Sequence, residues 1–209
     1  MNTARGLWLM VAGQLALMGA FWWATARLQE AGQRHGLQAM AGFNLGMALG
    51  LVLVAMRGSD WPGLLTLAGA NVVMLTALGL LWHGGAMQLR GRSRAEPFIV
   101  VGLGASLILL SHVLGAPDTV RVAVFYLACA WIIHRAYALA RPLLIQGGVH
   151  GHRVQRVLRV LARLTTVCLT VWSVGGLWLG LPIDVGSEAW RSYLAAFGVL
   201  FALTVVNGM

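Results

Sequence analysis

Residues 37–56 read LQAMAGFNLGMALGLVLVAM, twenty consecutive residues without a charged side chain. A helix needs about 20 apolar residues to cross the hydrocarbon of a bilayer, so this stretch predicts a membrane span. The rest of the chain is similar, because 59% of its 209 residues are hydrophobic and 10% are charged. A soluble domain carries about a quarter charged residues. The composition therefore predicts an integral membrane protein, with one domain over residues 1–209.

Seven apolar runs predict an all-α fold, a seven-transmembrane helix bundle. They are Leu7–Ala26, Leu37–Met56, Leu64–Trp82, Phe98–Leu114, Val122–Ala140, Leu164–Leu181 and Tyr193–Val206. The last run is short, and six spans are the alternative. Three short connections combine Pro, Asp and Gly, at residues 58–63, 115–118 and 181–186. These residue types interrupt helices, and we expect the three connections on one side of the membrane.

The fifteen basic residues are all arginine, and they divide unequally between the two sides of the predicted bundle. Four fall on the side of the three Pro-containing connections, and eleven fall on the other side. The eleven are Arg27, Arg34, Arg90, Arg92, Arg94, Arg135, Arg141, Arg153, Arg156, Arg159 and Arg163. Because basic short loops stay cytoplasmic, the amino terminus is expected outside and the carboxyl terminus inside. This sidedness accounts for the net charge of +9, and nucleic acid is not an expected partner.

Several kinds of chemistry are excluded by residue content. The chain has no lysine, which excludes a retinal or pyridoxal Schiff base and a Gly-rich phosphate loop with its lysine. Cys129 and Cys168 are far apart in apolar runs, so we expect packing roles rather than a disulfide or a metal site. Neither a nucleophile with a base nor a pair of carboxylates is evident. The sequence therefore predicts no catalytic residues, no metal and no cofactor.

Polar side chains in or beside the spans are candidate intramembrane ligand or coupling residues, because hydrocarbon disfavours them. They are Asn44, Asn71, His83, His112, His134 and Arg135. Hydrogen bonding between helices is the ordinary role of such residues, and close helix packing is the ordinary role of glycines spaced by four. Such glycines are Gly42, Gly46 and Gly50. The depths of His112 and His134 should differ by roughly 12 Å, so we do not expect them to share a metal.

Two further functions stay open from the sequence. A small transporter or channel would use Asn44, Asn71 and His112 to line a cavity. A haem-binding membrane protein would use His83 with His134, both of which fall towards the predicted inner leaflet. Neither function is required by the spacing of these residues.

A basic amphipathic helix is predicted from His150 to Arg163. Its apolar residues recur at helical spacing, and its arginines occupy the other faces. Those arginines are Arg153, Arg156, Arg159 and Arg163. They are expected either to contact lipid phosphates or to form a docking surface for a cytoplasmic signalling domain.

Two stretches at the predicted inner ends of the spans are WHGGAMQLRGR at residues 82–92 and RAYALARP at residues 135–142. With the helical pattern, they resemble the multi-helix membrane sensor regions that precede GGDEF diguanylate cyclase domains in bacteria. There, a glycine followed by arginine and a Gly-Arg pair commonly closes a span before a basic inner loop. The resemblance implies a signalling role and assigns no ligand residues.

The sequence therefore predicts a sensory input domain in a bacterial cytoplasmic (inner) membrane, without chemistry of its own. Its expected partners are the lipid bilayer, a cytoplasmic signalling domain in cis and, as an open alternative, a second copy in a homodimer. The output module would be a diguanylate cyclase or a histidine kinase outside these 209 residues.

Overall fold

The structure is a computed structural model that describes residues 3–90 and 95–146, together with 159–160, 163–167, 169–170, 173–174 and 177. Among these residues there are helices and no strand. The helices are α1 (Thr3–Leu28), α2 (Ala31–Ala55), α3 (Ala70–Arg90), α4 (Glu96–Val113) and α5 (Asp118–Gln146). A π-helical segment, Leu64–Gly69, leads directly into α3. The described residues from 159 to 177 are also helical.

Five segments are long and apolar enough to cross a bilayer, as a multi-pass membrane protein requires. They are Arg5–Leu28, Arg34–Ala55, Leu64–Met87, Glu96–Val113 and Asp118–Leu139. These segments confirm the first five predicted spans. The predicted span Leu164–Leu181 is described only in part, and Tyr193–Val206 lies outside the described residues. Many large apolar side chains of α1 and α4 are exposed, as expected for surfaces that contact lipid.

The helices pack in chain order around two buried clusters, and α3 contributes to both. The first cluster joins α1, α2 and α3 around Phe43, which is fully buried. The second joins α3, α4 and α5 around Leu75 and Ile108, which are fully buried as well. Helix α3 therefore connects the two halves of the described bundle.

The α2–α3 contact confirms that the glycines of α2 serve close packing. A methyl group added at Gly46 would lie 2.8 Å from the Cβ of Ala77, and one at Gly42 would lie 3.0 Å from Leu80. At Gly50 it would overlap the side chain of Met74. Glycine at these positions allows the two helices to approach each other closely.

The two connections at residues 56–63 and 114–117 lie at the same end of the bundle. Arg57 of the first connection is within electrostatic range of Asp118 and Arg121 at the start of α5. The guanidinium of Arg5, at the start of α1, lies 2.8 Å from the sulfur of Met56 at the same end. We call this the Arg121 end. The opposite end, which contains the start of α4 and the later part of α5, is the Arg135 end.

Candidate functional site

Arg121 is the only charged residue among the described residues that are buried, with 6% of its surface exposed. Its Nη1 lies 2.9 Å from Nδ1 of His112, and its Nη2 donates to the carboxylate of Asp118. Because a guanidinium can only donate, Nδ1 of His112 must accept and therefore carries no proton here. One buried cation thus ties the end of α4 to the first turn of α5.

This arrangement follows from a tight turn and from helical spacing. Helix α4 ends at Val113, and the chain reverses within residues 114–117 through Gly115, whose φ is +65°. The amide of Ala116 donates to the carbonyl of Ser111 at 2.9 Å and closes the turn. Residues three apart share a helix face, so Asp118 and Arg121 meet in the first turn of α5.

A second arginine, Arg57, approaches from the connection between α2 and α3. Its Nε donates to the carbonyl of Thr66 at 2.9 Å. Thr66 belongs to the π-helical segment, in which the amide of Ala70 bonds to the carbonyl of Leu65, five residues earlier. Such segments disturb the regular carbonyl pattern of a helix and are frequent at functional sites.

The charges at this end interact across the two connections. Part of the Arg57 side chain is exposed, but enclosure of its guanidinium removes hydration and lowers the pKa of Arg57. Tyr126 and Asp118 oppose this shift, whereas Arg121 adds to it. Arginine stays protonated at neutral pH, so the consequence is mutual repulsion of two cations rather than titration. Asp118 therefore partly neutralises a basic site.

A second ionic contact lies at the Arg135 end. Nη2 of Arg135 is 2.8 Å from Oε2 and 2.7 Å from Oε1 of Glu96, the first residue of α4. Their side chains are 37% and 31% exposed. The predicted coupling residue Arg135 thus joins α5 to α4, in a pair that remains accessible to water.

The predicted basic helix also contacts α5 at this end. Nε of Arg159 donates to Oη of Tyr137 at 3.2 Å, and Arg163 is exposed. Arg153 and Arg156 lie outside the described residues. The predicted docking surface is therefore described at two of its four arginines.

The other predicted site residues are distributed over the bundle. Asn44 is fully buried and donates to the carbonyl of Met40 in its own helix at 2.9 Å. Asn71 is buried near the start of α3. The buried positions of these two amides fit packing roles as well as a cavity lining.

His112 and His134 lie at different depths in the bundle, as predicted. The ring centroid of His83 is 5.0 Å from that of Phe98 in α4, whereas His134 is exposed on α5. His112 bonds to Arg121, which precedes His134 by thirteen residues in one helix, or about 20 Å. Within the described ranges no three His, Cys, Asp or Glu residues are grouped so that they could hold a metal ion.

Sequence reasoning missed the central residue, Arg121, together with Asp118 and Arg57. The sequence places Arg57 and Arg121 among the four arginines on the side of the Pro-containing connections, and it places Asp118 in one of those connections. The spacing of Asp118 and Arg121 was a usable signal, because an acid and a base three residues apart in a first helical turn can pair. Nothing in the sequence indicated that the side chain of Arg121 is buried in the bundle.

Comparison of the chain with family models, with curated proteins and with solved structures found no match in any of the three.

Proposed function

We propose that the chain is a membrane-embedded sensory input domain that relays a change at the Arg121 end to a cytoplasmic signalling module. The observation that supports this function is the double attachment of α5, a continuous helix over Asp118–Gln146. It carries Arg121 in the buried site and Arg135 in the ion pair with Glu96. The two arginines are fourteen residues apart, which corresponds to about 21 Å along the helix.

The described residues after 158 contact α5 at two positions along its length. Buried Ser173 donates to the carbonyl of Ala123 at 3.1 Å, and Arg159 donates to Tyr137. A rotation or shift of α5 would therefore also move this segment and, with it, the basic helix predicted up to Arg163. In our proposal that basic helix contacts lipid and the signalling module.

The stimulus acts by favouring one of two arrangements of the Arg121 contacts. A ligand shifts such an equilibrium only through different affinities for the two states. In one state Arg121 bonds to both His112 and Asp118, as in the structure. In the other, a ligand or an altered connection separates Arg121 from one of these partners and releases the first turn of α5.

The proposal includes the topology: seven spans, with the Arg121 end outside and the carboxyl terminus in the cytoplasm of a bacterium. The eleven-to-four distribution of arginines supports this orientation. Fusions of alkaline phosphatase and of a fluorescent protein after Met209 test it. We expect fluorescence without phosphatase activity, and the reverse result would contradict seven spans in this orientation.

Spin-label distance measurements test the relay. Labels at Arg34→Cys and Ala138→Cys, both exposed positions, report on the Arg135 end after alanine replaces the two native cysteines. We expect Asp118→Asn to shift or broaden the distance distribution between the labels. Asp60→Asn, a change in the exposed connection, is the matched control and should leave it unchanged. Identical distributions in all three proteins would contradict a relay through α5.

Transport measurements separate the proposal from the carrier alternative. The purified chain in liposomes should show no saturable flux of ions or small solutes. Saturable flux that is lost in Asn44→Leu or Asn71→Leu would instead identify a transporter.

A further inference from the structure

Helix α1 carries an exposed amide near the middle of its membrane span. Gln14 is exposed, and it lies in the segment Arg5–Leu28. The midpoint of that segment is between residues 16 and 17, so Gln14 is about 4 Å from the centre along the helix axis. Its carboxamide has two donors and an acceptor that hydrocarbon cannot satisfy.

The residues around Gln14 form a continuous exposed seam. The seam comprises Met10, Gly13, Gln14, Leu17, Ala20, Phe21 and Ala24, all of them exposed. Met10, Gln14, Leu17, Phe21 and Ala24 alternate in spacings of four and three residues, which is the pattern by which one helix packs along another. Met10, Leu17 and Phe21 are 64%, 75% and 58% exposed.

Small residues in the seam permit a close approach. A Cβ built at Gly13 meets no atom within 4 Å, so the seam is open there among the described residues. Along the seam, Ala20 lies two turns after Gly13, and Ala24 lies one turn after Ala20. Small residues at such spacing allow membrane helices to approach closely, and polar side chains then bond across the interface.

The sixth and seventh predicted spans contain few polar side chains that could bond to Gln14. In the described part of the predicted sixth span, Ser173 bonds to Ala123 and Thr170 bonds to the carbonyl of Thr166. In the predicted seventh span, the polar side chains Tyr193 and Thr204 flank ten apolar residues, 194–203. Among the described residues of the sixth span, Thr170 and Ser173 are therefore already bonded, and the ten central residues of the predicted seventh span carry no polar side chain.

We infer that α1 is the interface of a parallel homodimer in which the two Gln14 side chains bond to each other. A carboxamide is self-complementary, because each copy can donate N–H to the oxygen of the other across a two-fold axis. The axis would run along the membrane normal, which places both copies of Gln14 at the same depth. This inference is independent of the proposed sensory function.

Energy transfer between labelled chains in phosphatidylethanolamine–phosphatidylglycerol vesicles tests the dimer. Because the chain has no lysine, an amine-reactive dye attached before reconstitution labels only the amino terminus, next to α1. Donor- and acceptor-labelled full-length chains are mixed and diluted with lipid. We expect transfer that decreases on dilution and defines a dissociation constant in the bilayer.

Four variants identify the interface. Gln14→Leu should weaken association about tenfold. This corresponds to the loss of roughly 1.4 kcal/mol, which is within the range for a hydrogen bond between membrane helices. Gly13→Val should weaken it at least as much while leaving the single chain intact, because the added side chain enters open space. Gly102→Val is the matched control, since a Cβ at Gly102 of α4 also meets nothing within 4 Å. Thr76→Val is the polar control, since its exposed hydroxyl already donates to Val72.

The four variants distinguish a dimer through α1 from an interface elsewhere. Weakening by both α1 variants and by neither control supports the dimer. Absence of energy transfer at every dilution would overturn it. Unchanged association of Gln14→Leu and Gly13→Val, or an equal loss in Gly102→Val, would also overturn it and, in the last case, would move the interface to α4.

Discussion

The two ends of the described bundle use arginine in different ways. At the Arg121 end, a guanidinium with 7% of its side chain exposed bonds to His112 and Asp118. At the Arg135 end, the side chain of Arg135 is 37% exposed and its guanidinium faces Glu96. A buried charge that loses a partner is costly, whereas an exposed ion pair contributes about 0–1 kcal/mol. The contacts at the Arg121 end are therefore expected to contribute more to stability than the ion pair at the Arg135 end.

The largest effect is expected from Asp118→Asn. The buried guanidinium of Arg121 would lose its bond to the Asp118 carboxylate. The free energy of unfolding should therefore fall by about 2 kcal/mol. Asp118 is itself 72% exposed, so water replaces part of the lost contact. The free energy of unfolding in mixed detergent micelles measures the effect. Asp60→Asn is the control and should be neutral, so equal losses in the two variants would contradict a specific stabilising role of the Asp118–Arg121 contact.

His112 should contribute less than Asp118. His112→Leu leaves Nη1 of Arg121 without its acceptor and should lower the free energy of unfolding by about 1 kcal/mol. His112→Asn places a carbonyl oxygen near the former position of Nδ1 and should recover most of that loss. The same unfolding measurement distinguishes them. If the asparagine variant were as unstable as the leucine variant, packing of the imidazole would matter more than its hydrogen bond.

The ion pair at the Arg135 end should contribute least among the ionic contacts. Glu96→Gln should lower the free energy of unfolding by about 0.5–1 kcal/mol, the upper part of the range for exposed pairs, because both side chains are only about one-third exposed. A charge exchange, Glu96→Arg with Arg135→Glu, should retain near-parent stability. A loss of 2 kcal/mol or more in Glu96→Gln, well above the range of about 0–1 kcal/mol for exposed pairs, would remove the distinction between the two ends.

The arginines of the basic helix should affect membrane position and coupling more than folding. Glutamine at Arg153, Arg156, Arg159 and Arg163 removes about 4 kcal/mol of attraction to an anionic leaflet, at about 1 kcal/mol for each residue. Expression and thermal stability in detergent should stay near those of the parent. The attraction of the basic helix to anionic vesicles should weaken. Failure to insert, or an inverted orientation, would identify these residues as topology determinants instead.

Membrane spans were predictable from hydropathy, whereas the direction in which a side chain points from its helix was not. The five described spans and the two Pro-containing connections were predictable, because length and apolarity alone decide whether a helix can cross a bilayer. The close packing of Gly46 against Ala77 followed from glycine spacing. The inward face of Arg121 did not, since hydropathy gives the depth of a residue and not the neighbours around its helix. His112 was identified as a candidate, but its partner was found only in the structure.

The central claim is that α5 couples the two ends, and a double-mutant cycle between them tests it most directly. The cycle combines Asp118→Asn with Glu96→Gln and compares the double variant with the sum of the single changes. Sites this far apart without a shared partner are additive within about 0.3–0.5 kcal/mol. We predict a coupling free energy that exceeds about 0.5 kcal/mol, because releasing Arg121 would change the state in which Arg135 pairs with Glu96. Additivity within that limit would contradict the relay.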